Sequence, residues 1–347
     1  MKILLRAYTQ LNLGDDLFLH ILAVRYPDAE FMLASETGDM YDKFTQEHPN
    51  VTAFGGHSVL YRALRRMGRA PLIDKKIFSG VDAVIYIGGS IFMENEDDRF
   101  CENLLMAETA YCAEMGVPYH ILSCNFGPYT TEGYYNRMRE CFKNCTEVCF
   151  RDSESYELFR DLSSVRFAPD ASFALDIERP AVREDVLGVS LISYRHRKCA
   201  EGYAEEYMAY LEDTVRRHLE SGGSAELFCF CEAEGDCEAA EALAARLGND
   251  GRVSIAVYDG AAVEFTKRFI SCGKILASRF HGIMLALMYG IPLIPHIYSR
   301  KTENVLRDAG VFGEIDTDNY KIYRLDEEHS GNIQKIWHNI DKLYKKI

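Results

Sequence analysis

Positive charge and long apolar runs are what this chain lacks. Lys and Arg number 39 against 53 Asp and Glu, for a formal net charge of −14 over 347 residues. Such a field repels nucleic acid and anionic membrane. An anionic substrate would therefore need a local basic pocket built against it, so each well-placed Arg, Lys or His carries weight. No uncharged apolar run reaches the length of a membrane span. After Met1-Lys2 the run Ile3-Leu4-Leu5 stops at Arg6, too soon for a signal-peptide core. A cytoplasmic protein is expected, with its eleven cysteines reduced. Neither Cys141, Cys145 and Cys149 nor Cys229, Cys231 and Cys237 have the paired CxxC spacing of a zinc site. They read as small core residues, and no metal is expected. The sequence also holds no GxGxxG, no GxxxxGK[ST], no internal repeat and no low-complexity segment, which excludes a dinucleotide fingerprint and a P-loop.

What is present is alternation. Lys2–Tyr8, Glu30–Leu33, Val51–Phe54, Ala83–Ile87 and Pro118–Cys124 are strand-like, and helical patterns cover 15–25, 38–46 and 104–115, the last closing at Gly116. Continuous apolar strands between helices indicate a parallel sheet covered on both faces. After Pro180 the pattern resumes with strands at Val186–Ser190, Ala225–Cys231, Val253–Val257, Ile275–Ala277 and Pro292–His296. Helices are expected at 203–221, 236–247 and 333–347. The length suits two domains. The division predicted is an N-terminal domain over 1–175 and a C-terminal one over 176–347, with the hinge between Pro169 and Pro180. Two such domains imply a cleft lined by strand-end loops.

The stretch Ser278-Arg279-Phe280-His281-Gly282 is the most informative. It lies between the apolar Lys274–Ala277 and the helix-like Ile283–Tyr289, where open α/β sheets place ligands. It offers a fixed cation, an imidazole titrating near neutrality, and a helix N-terminus suited to an anion. Read as strand-like, Arg279 and His281 would point to one side.

Other strand ends carry weaker signals. In Asn12-Leu13-Gly14-Asp15-Asp16, Gly14 allows a tight turn and Asp15 or Asp16 can cap the next helix; the two carboxylates could also accept protons from sugar hydroxyls. Gly88-Gly89-Ser90 and Asn125-Phe126-Gly127-Pro128 end two strands, and the glycines permit close approach of a ligand or of backbone. Arg151 either pairs with Asp152 or faces the cleft. The basic run Arg195, His196, Arg197 and Lys198 is a solvated loop or an anion contact. Lys301 is a helix-start lysine or reaches the same anion as Arg279.

In their order these pieces resemble the polysaccharide pyruvyl transferase family. The resemblance rests on Asn12–Asp16, Ile87–Ser90, Asn125–Pro128, Arg151–Ser155, Pro169-Asp170 before Phe173, Asp236 after a strand, Ser278–Gly282 with its Ala-Leu helix and Gly290-Ile291-Pro292, and Lys301 before Val305-Leu306. Gly88-Gly89-Ser90 departs from the commoner triple glycine. The resemblance implies two Rossmann-like domains with parallel sheets arranged as in GT-B glycosyltransferases. It also implies transfer of a pyruvyl group from phosphoenolpyruvate to two hydroxyls of a sugar, giving a cyclic ketal. Arg279 and His281 would contact phosphoenolpyruvate, with a further Arg, matched by Arg151, in the donor site.

The residues suit that chemistry. Arg offers a planar fork to a carboxylate or a phosphate. His281 can act as acid or as a phosphate-side donor, and Asp15 or Asp16 as base. Arg279, Arg151, Lys301 and Arg195, with Gly88, Gly89, Ser90 and Asn125, complete the expected substrate-binding set. The donor is placed on the C-terminal domain and the acceptor on the N-terminal one. Phosphoenolpyruvate would be a substrate, and no cofactor is expected. The acceptor would be a sugar or a lipid-linked oligosaccharide, with peripheral membrane contact only through it. Two rival readings remain: a GT-B-like glycosyltransferase using a nucleotide sugar, and a non-catalytic glycan-binding relative.

Overall fold

In the computed structural model, the apolar runs of the first half become one seven-stranded parallel sheet, and those of the second half a five-stranded one. The structure describes residues 1–35, 38–55, 63–64, 67, 71–95, 99–194, 201–311, 313, 315–324 and 332–345. Its contacts divide the chain into two units. The first comprises Met1–Thr9, Phe18–Ala174 and Glu328–Ile347, the second Gln10–Leu17 and Leu175–Glu327. The grouping differs from the sequence-based division at two places. Residues 10–17, placed by sequence in the first domain, cluster with the second, and residues 328–347 cluster with the first.

The first sheet contains β1 (Lys2–Arg6), β2 (Glu30–Ala34), β3 (Val51–Phe54), β4 (Ala83–Ile87), β5 (Tyr119–Cys124), β6 (Glu147–Phe150) and β7 (Val165–Phe167). Their order is β3-β2-β1-β4-β5-β6-β7. The chain starts mid-sheet and reverses direction of growth between β1 and β4, the switch point at which such sheets open a crevice. Strands β1, β5 and β6 are buried on both faces, as covered parallel strands should be. One core cluster joins Phe92, Phe126, Phe142, Phe150 and Phe159. The C-terminal residues are tied to this unit by polar contacts. Arg166 donates to the carbonyls of Lys335 (2.7 Å) and Ile336 (2.6 Å), and Tyr26 donates to Asp341 (2.8 Å). The helix expected over 333–347 is a 3₁₀ turn, Ile333–Trp337, followed by an α-helix, His338–Tyr344.

The second sheet contains β8 (Arg183–Ser190), β9 (Ser224–Cys229), β10 (Val253–Val257), β11 (Cys272–Ala277) and β12 (Leu293–Pro295), in the order β10-β9-β8-β11-β12. Its switch point lies between β8 and β11. There the two strands pack so tightly onto the following helix that a Cβ at Gly282 would lie 2.2 Å from Ser190 Oγ. The helix Ala262–Ile270 is not among the elements expected from the sequence. Among the described residues no helix is long and apolar enough to cross a membrane.

Candidate functional site

Each unit carries a polar group at the carboxyl ends of its strands. The helix α1 (Leu13–Arg25), whose residues up to Leu17 cluster with the second unit, begins two residues before the predicted start. Asn12, not Asp15 or Asp16, supplies the turn: its Oδ1 accepts from the Gly14 N–H at 3.0 Å. Leu11 just before it sits at φ 48°, a left-handed conformation that costs a non-glycine residue about 1 kcal/mol. Asp15 is half-buried. Asp16 is 0% exposed, and its Oδ2 accepts from the Tyr258 hydroxyl at 2.7 Å. Enclosed in this way, Asp16 holds the loop to the end of β10.

The loop meets the Ser278–Gly282 turn. A Cβ at Gly14 would lie 1.8 Å from His281 Nδ1, so only glycine leaves room for the imidazole. The helix α2 (Phe280–Met288) starts directly after Arg279. Arg279 is its N-cap, in extended conformation (φ −68°, ψ 132°), while His281 is already helical. The strand-like alternation expected for this pair is therefore not what relates them. Ser278 exchanges a hydrogen bond with the Tyr207 hydroxyl (2.8 Å) and donates its N–H to Ser190 O (2.7 Å), fixing the turn across the switch point.

Arg279 is the centre of a buried ionic cluster that the sequence reading did not anticipate. Its Nε donates to Asp236 Oδ2 at 3.0 Å and its Nη2 to Asp236 Oδ1. Its Nη1 donates to Glu234 Oε2. Asp236 is 0% exposed and also accepts the backbone N–H groups of Phe230 and Cys231, each at 3.0 Å. Burial alone would depress the Arg279 pKa, but the two carboxylates outweigh it and raise it above its ordinary value. Glu234 is the more exposed partner, at 31% for its side chain. Its Oε1 accepts from Asn12 Nδ2 at 3.2 Å, so one carboxylate spans the Asn12 loop and Arg279. The sequence marks Asp236 only through the family motif and does not single out Glu234. The signal was the acidic turn Glu232–Asp236 directly after a strand. Lys301 lies, half-buried, in the first turn of the helix Arg300–Asp308.

The first unit gathers the other predicted residues. Arg151, 2% exposed after β6, donates from Nη1 to Asp170 Oδ2 at 2.7 Å and from Nη2 to Asn125 Oδ1 at 2.9 Å. Its ion partner is thus Asp170, not the neighbouring Asp152, which caps the helix Ser153–Phe159 by accepting from Ser155 N at 2.8 Å. Ser90 Oγ donates to Asn125 Oδ1 at 3.3 Å, and Asn125 N donates to Gly89 O at 2.9 Å. Gly88 donates its N–H to Leu122 O. A Cβ at Gly89 would lie 2.6 Å from Arg151 Nη2, so this glycine makes room for a guanidinium. A bulge in β5 between Leu122 and Cys124, with Ser123 at φ 60°, re-aims the strand end that carries Asn125. Arg195 and the rest of the 195–198 run lie outside the described residues. Among the described residues no group of three His, Cys, Asp or Glu side chains could hold a metal ion.

The polysaccharide pyruvyl transferase family model matches residues 12–300. Among solved structures, UDP-GlcNAc 2-epimerase from Methanocaldococcus jannaschii is 10% identical with a TM-score of 0.56, over 97% of this chain and 99% of that one. Anabaena Alr3699/HepE, solved with UDP-glucose, is 13% identical with a TM-score of 0.56, over 99% and 92%. A putative UDP-N-acetylglucosamine 2-epimerase from Listeria monocytogenes is 11% identical with a TM-score of 0.55, over 100% and 97%. These likenesses carry the fold: α/β, two Rossmann-like domains with parallel sheets, of the GT-B class. No curated protein sequence matches the chain.

Proposed function

The chain belongs to the polysaccharide pyruvyl transferase family, and we propose that it moves a pyruvyl group from phosphoenolpyruvate to two hydroxyls of one sugar residue, closing a cyclic ketal. One observation carries this reading. The Asn12–Asp16 loop and the Ser278–Gly282 turn, more than 260 residues apart in sequence, form one constellation in which Gly14 exists to admit His281. A polar group at a strand-end switch point suits a small anionic substrate.

The chemistry divides among named residues. Protonation of the donor's methylene carbon leaves an oxocarbenium-like centre at the carbon bearing the phosphate. One sugar hydroxyl adds there and gives up its proton; the C–O bond to phosphate then breaks, the phosphate taking up a proton as it leaves, and the second hydroxyl closes the ring and gives up its own, so that the two hydroxyl protons replace those spent on the methyl group and the phosphate. The reaction needs a proton donor, a proton acceptor and cations facing the departing phosphate. His281 takes the donor role. Asp15, half-buried, takes the acceptor role in preference to the enclosed Asp16. Arg279 and Lys301 face the anion. In the first unit the hydroxyl of Ser90, the amide of Asn125 and the guanidinium of Arg151 suit sugar hydroxyls or a further anion contact.

The test is incubation with phosphoenolpyruvate and a panel of galactosides, mannosides and N-acetylated sugars, also as lipid-linked forms, reading phosphate release and product mass. Stoichiometric phosphate and a product heavier by one pyruvyl ketal are expected. Absence of phosphate release across the panel, with no phosphoenolpyruvate binding by calorimetry, overturns the reading. Transfer from a UDP-sugar instead would point to the glycosyltransferase alternative, which the sugar-nucleotide complexes of the structural relatives bring into the comparison.

A further inference from the structure

The cation assigned to the anionic donor is already occupied in this structure. Asp236 engages one edge of the Arg279 guanidinium through two hydrogen bonds, and is itself enclosed and fixed by two backbone N–H groups. Glu234 engages Nη1 from the outside. The cluster of one cation and two carboxylates has a formal charge of −1, in a chain whose net charge is −14. Both carboxylates oppose the approach of a phosphate or carboxylate to Arg279. The two carboxylates are not equivalent. Asp236 has no exposed side-chain surface, whereas Glu234 is 31% exposed, sits in a short 3₁₀ turn (Glu232–Glu234) and also accepts from Asn12 at 3.2 Å. Of the two, Glu234 is the one that solvent reaches, so its departure does not bury its charge, whereas that of Asp236 would.

We propose that Glu234 is an internal competitor for the anion site: it occupies the outer face of Arg279 in the unliganded protein and must yield that face for an anionic substrate to bind, so that it sets the threshold of affinity and rejects weakly binding anions. The inference rests on the reading of Arg279 as an anion-binding residue. The exchange is carboxylate for anion at Nη1, with Asp236 holding the guanidinium in place throughout. Asn12, through its hold on Glu234, is a positioning residue for the exchange.

The experiment is calorimetric titration of the full-length protein and of Glu234→Gln, Glu234→Asp and Asn12→Ala with two probes, phosphoenolpyruvate and inorganic phosphate, alongside melting temperatures. Glu234→Gln keeps size and hydrogen bonding but removes the charge. It should bind at least one probe about tenfold more tightly, as expected for loss of a charged competitor at a partly exposed contact. Asn12→Ala should tighten binding by a smaller factor, and Glu234→Asp should lie near the parent. A purely structural Glu234 would give equal or weaker binding in Glu234→Gln, which overturns the inference. Failure of both probes to bind Glu234→Gln at unchanged melting temperature overturns it as well. If phosphate binds more tightly to Glu234→Gln and phosphoenolpyruvate binds to no variant, the competitor stands and the phosphoenolpyruvate reading falls. If phosphoenolpyruvate binds all four proteins equally, the reverse holds.

Discussion

Gly14 and His281 share one space: the imidazole fills the volume that any side chain at position 14 would need, with Nδ1 only 1.8 Å from where a Cβ would stand. A residue that sequence patterns read as a turn glycine is therefore fixed by a side chain of a helix that begins far downstream.

Gly14→Ala should displace His281 while leaving the backbone of α1 unstrained, since alanine suits a helix. Turnover with a competent acceptor should drop by about two orders of magnitude or more, in line with loss of a positioned acid–base group. Steady-state kinetics on the variant check this. Parent-like turnover would mean that His281 is not held by this contact. His281→Ala should abolish turnover with little change in melting temperature.

Arg279→Ala should be primarily a stability mutant. Asp236, 0% exposed, would lose its cation; breaking a buried pair this way costs about 3–5 kcal/mol. Arg279→Lys keeps the charge and loses the fork. It should unfold at a urea midpoint between parent and Arg279→Ala and bind phosphoenolpyruvate about one to two orders of magnitude more weakly than the parent. Binding unchanged in Arg279→Lys would remove the fork from the argument.

The Arg151–Asp170 pair gives a similar prediction in the first unit. Both side chains are buried, at 2% and 0% exposed. Asp170→Ala should cost roughly 3–5 kcal/mol. Gly89→Ala should push the guanidinium away by steric overlap at 2.6 Å and cost about 1–3 kcal/mol, as overpacking does. Chemical denaturation of each variant decides. A cost below about 0.5 kcal/mol for Gly89→Ala, the scale of an ordinary surface change, would show that Arg151 can move freely.

Stability should fall on mild acidification because of a buried histidine pair. His20 Nδ1 and His48 Nε2 are 2.7 Å apart, and His48 Nδ1 lies 2.8 Å from Phe44 O, the arrangement of two neutral rings. Burial, reinforced by repulsion from His48, pushes the His20 pKa down to about 4; burial also lowers that of His48. Unfolded histidine titrates near 6.5, so below that pH the unfolded chain binds more protons than the folded one. The stabilisation is complete above about pH 6.5 and is lost as the pH falls toward 4. Melting temperatures of the parent and His20→Gln across this window should show a shallower decline for the variant. Parallel curves would clear the pair of any role.

Sequence alone determined where three site-bearing strands end. Apolar runs closing at Ala277, Ile87 and Cys124 marked the places at which polar residues gather, because continuous burial of a parallel strand is a local pattern, written in consecutive residues. It also delivered the family, through short motifs in order. It could not say which partners those residues take. Arg151 pairs with Asp170, on the turn that follows the next strand of the sheet, and not with its neighbour Asp152, because strand order sets ion pairs and order is not written in any one segment. Glu234 and Asp236 reach Arg279 because β8 separates β9 from β11 in the sheet and all three strands run the same way. Residues 10–17 join the second unit through Asn12–Glu234, Asp16–Tyr258 and Gly14–His281. Each of these contacts links groups more than 200 positions apart, and only the folded topology brings such groups within a few ångströms.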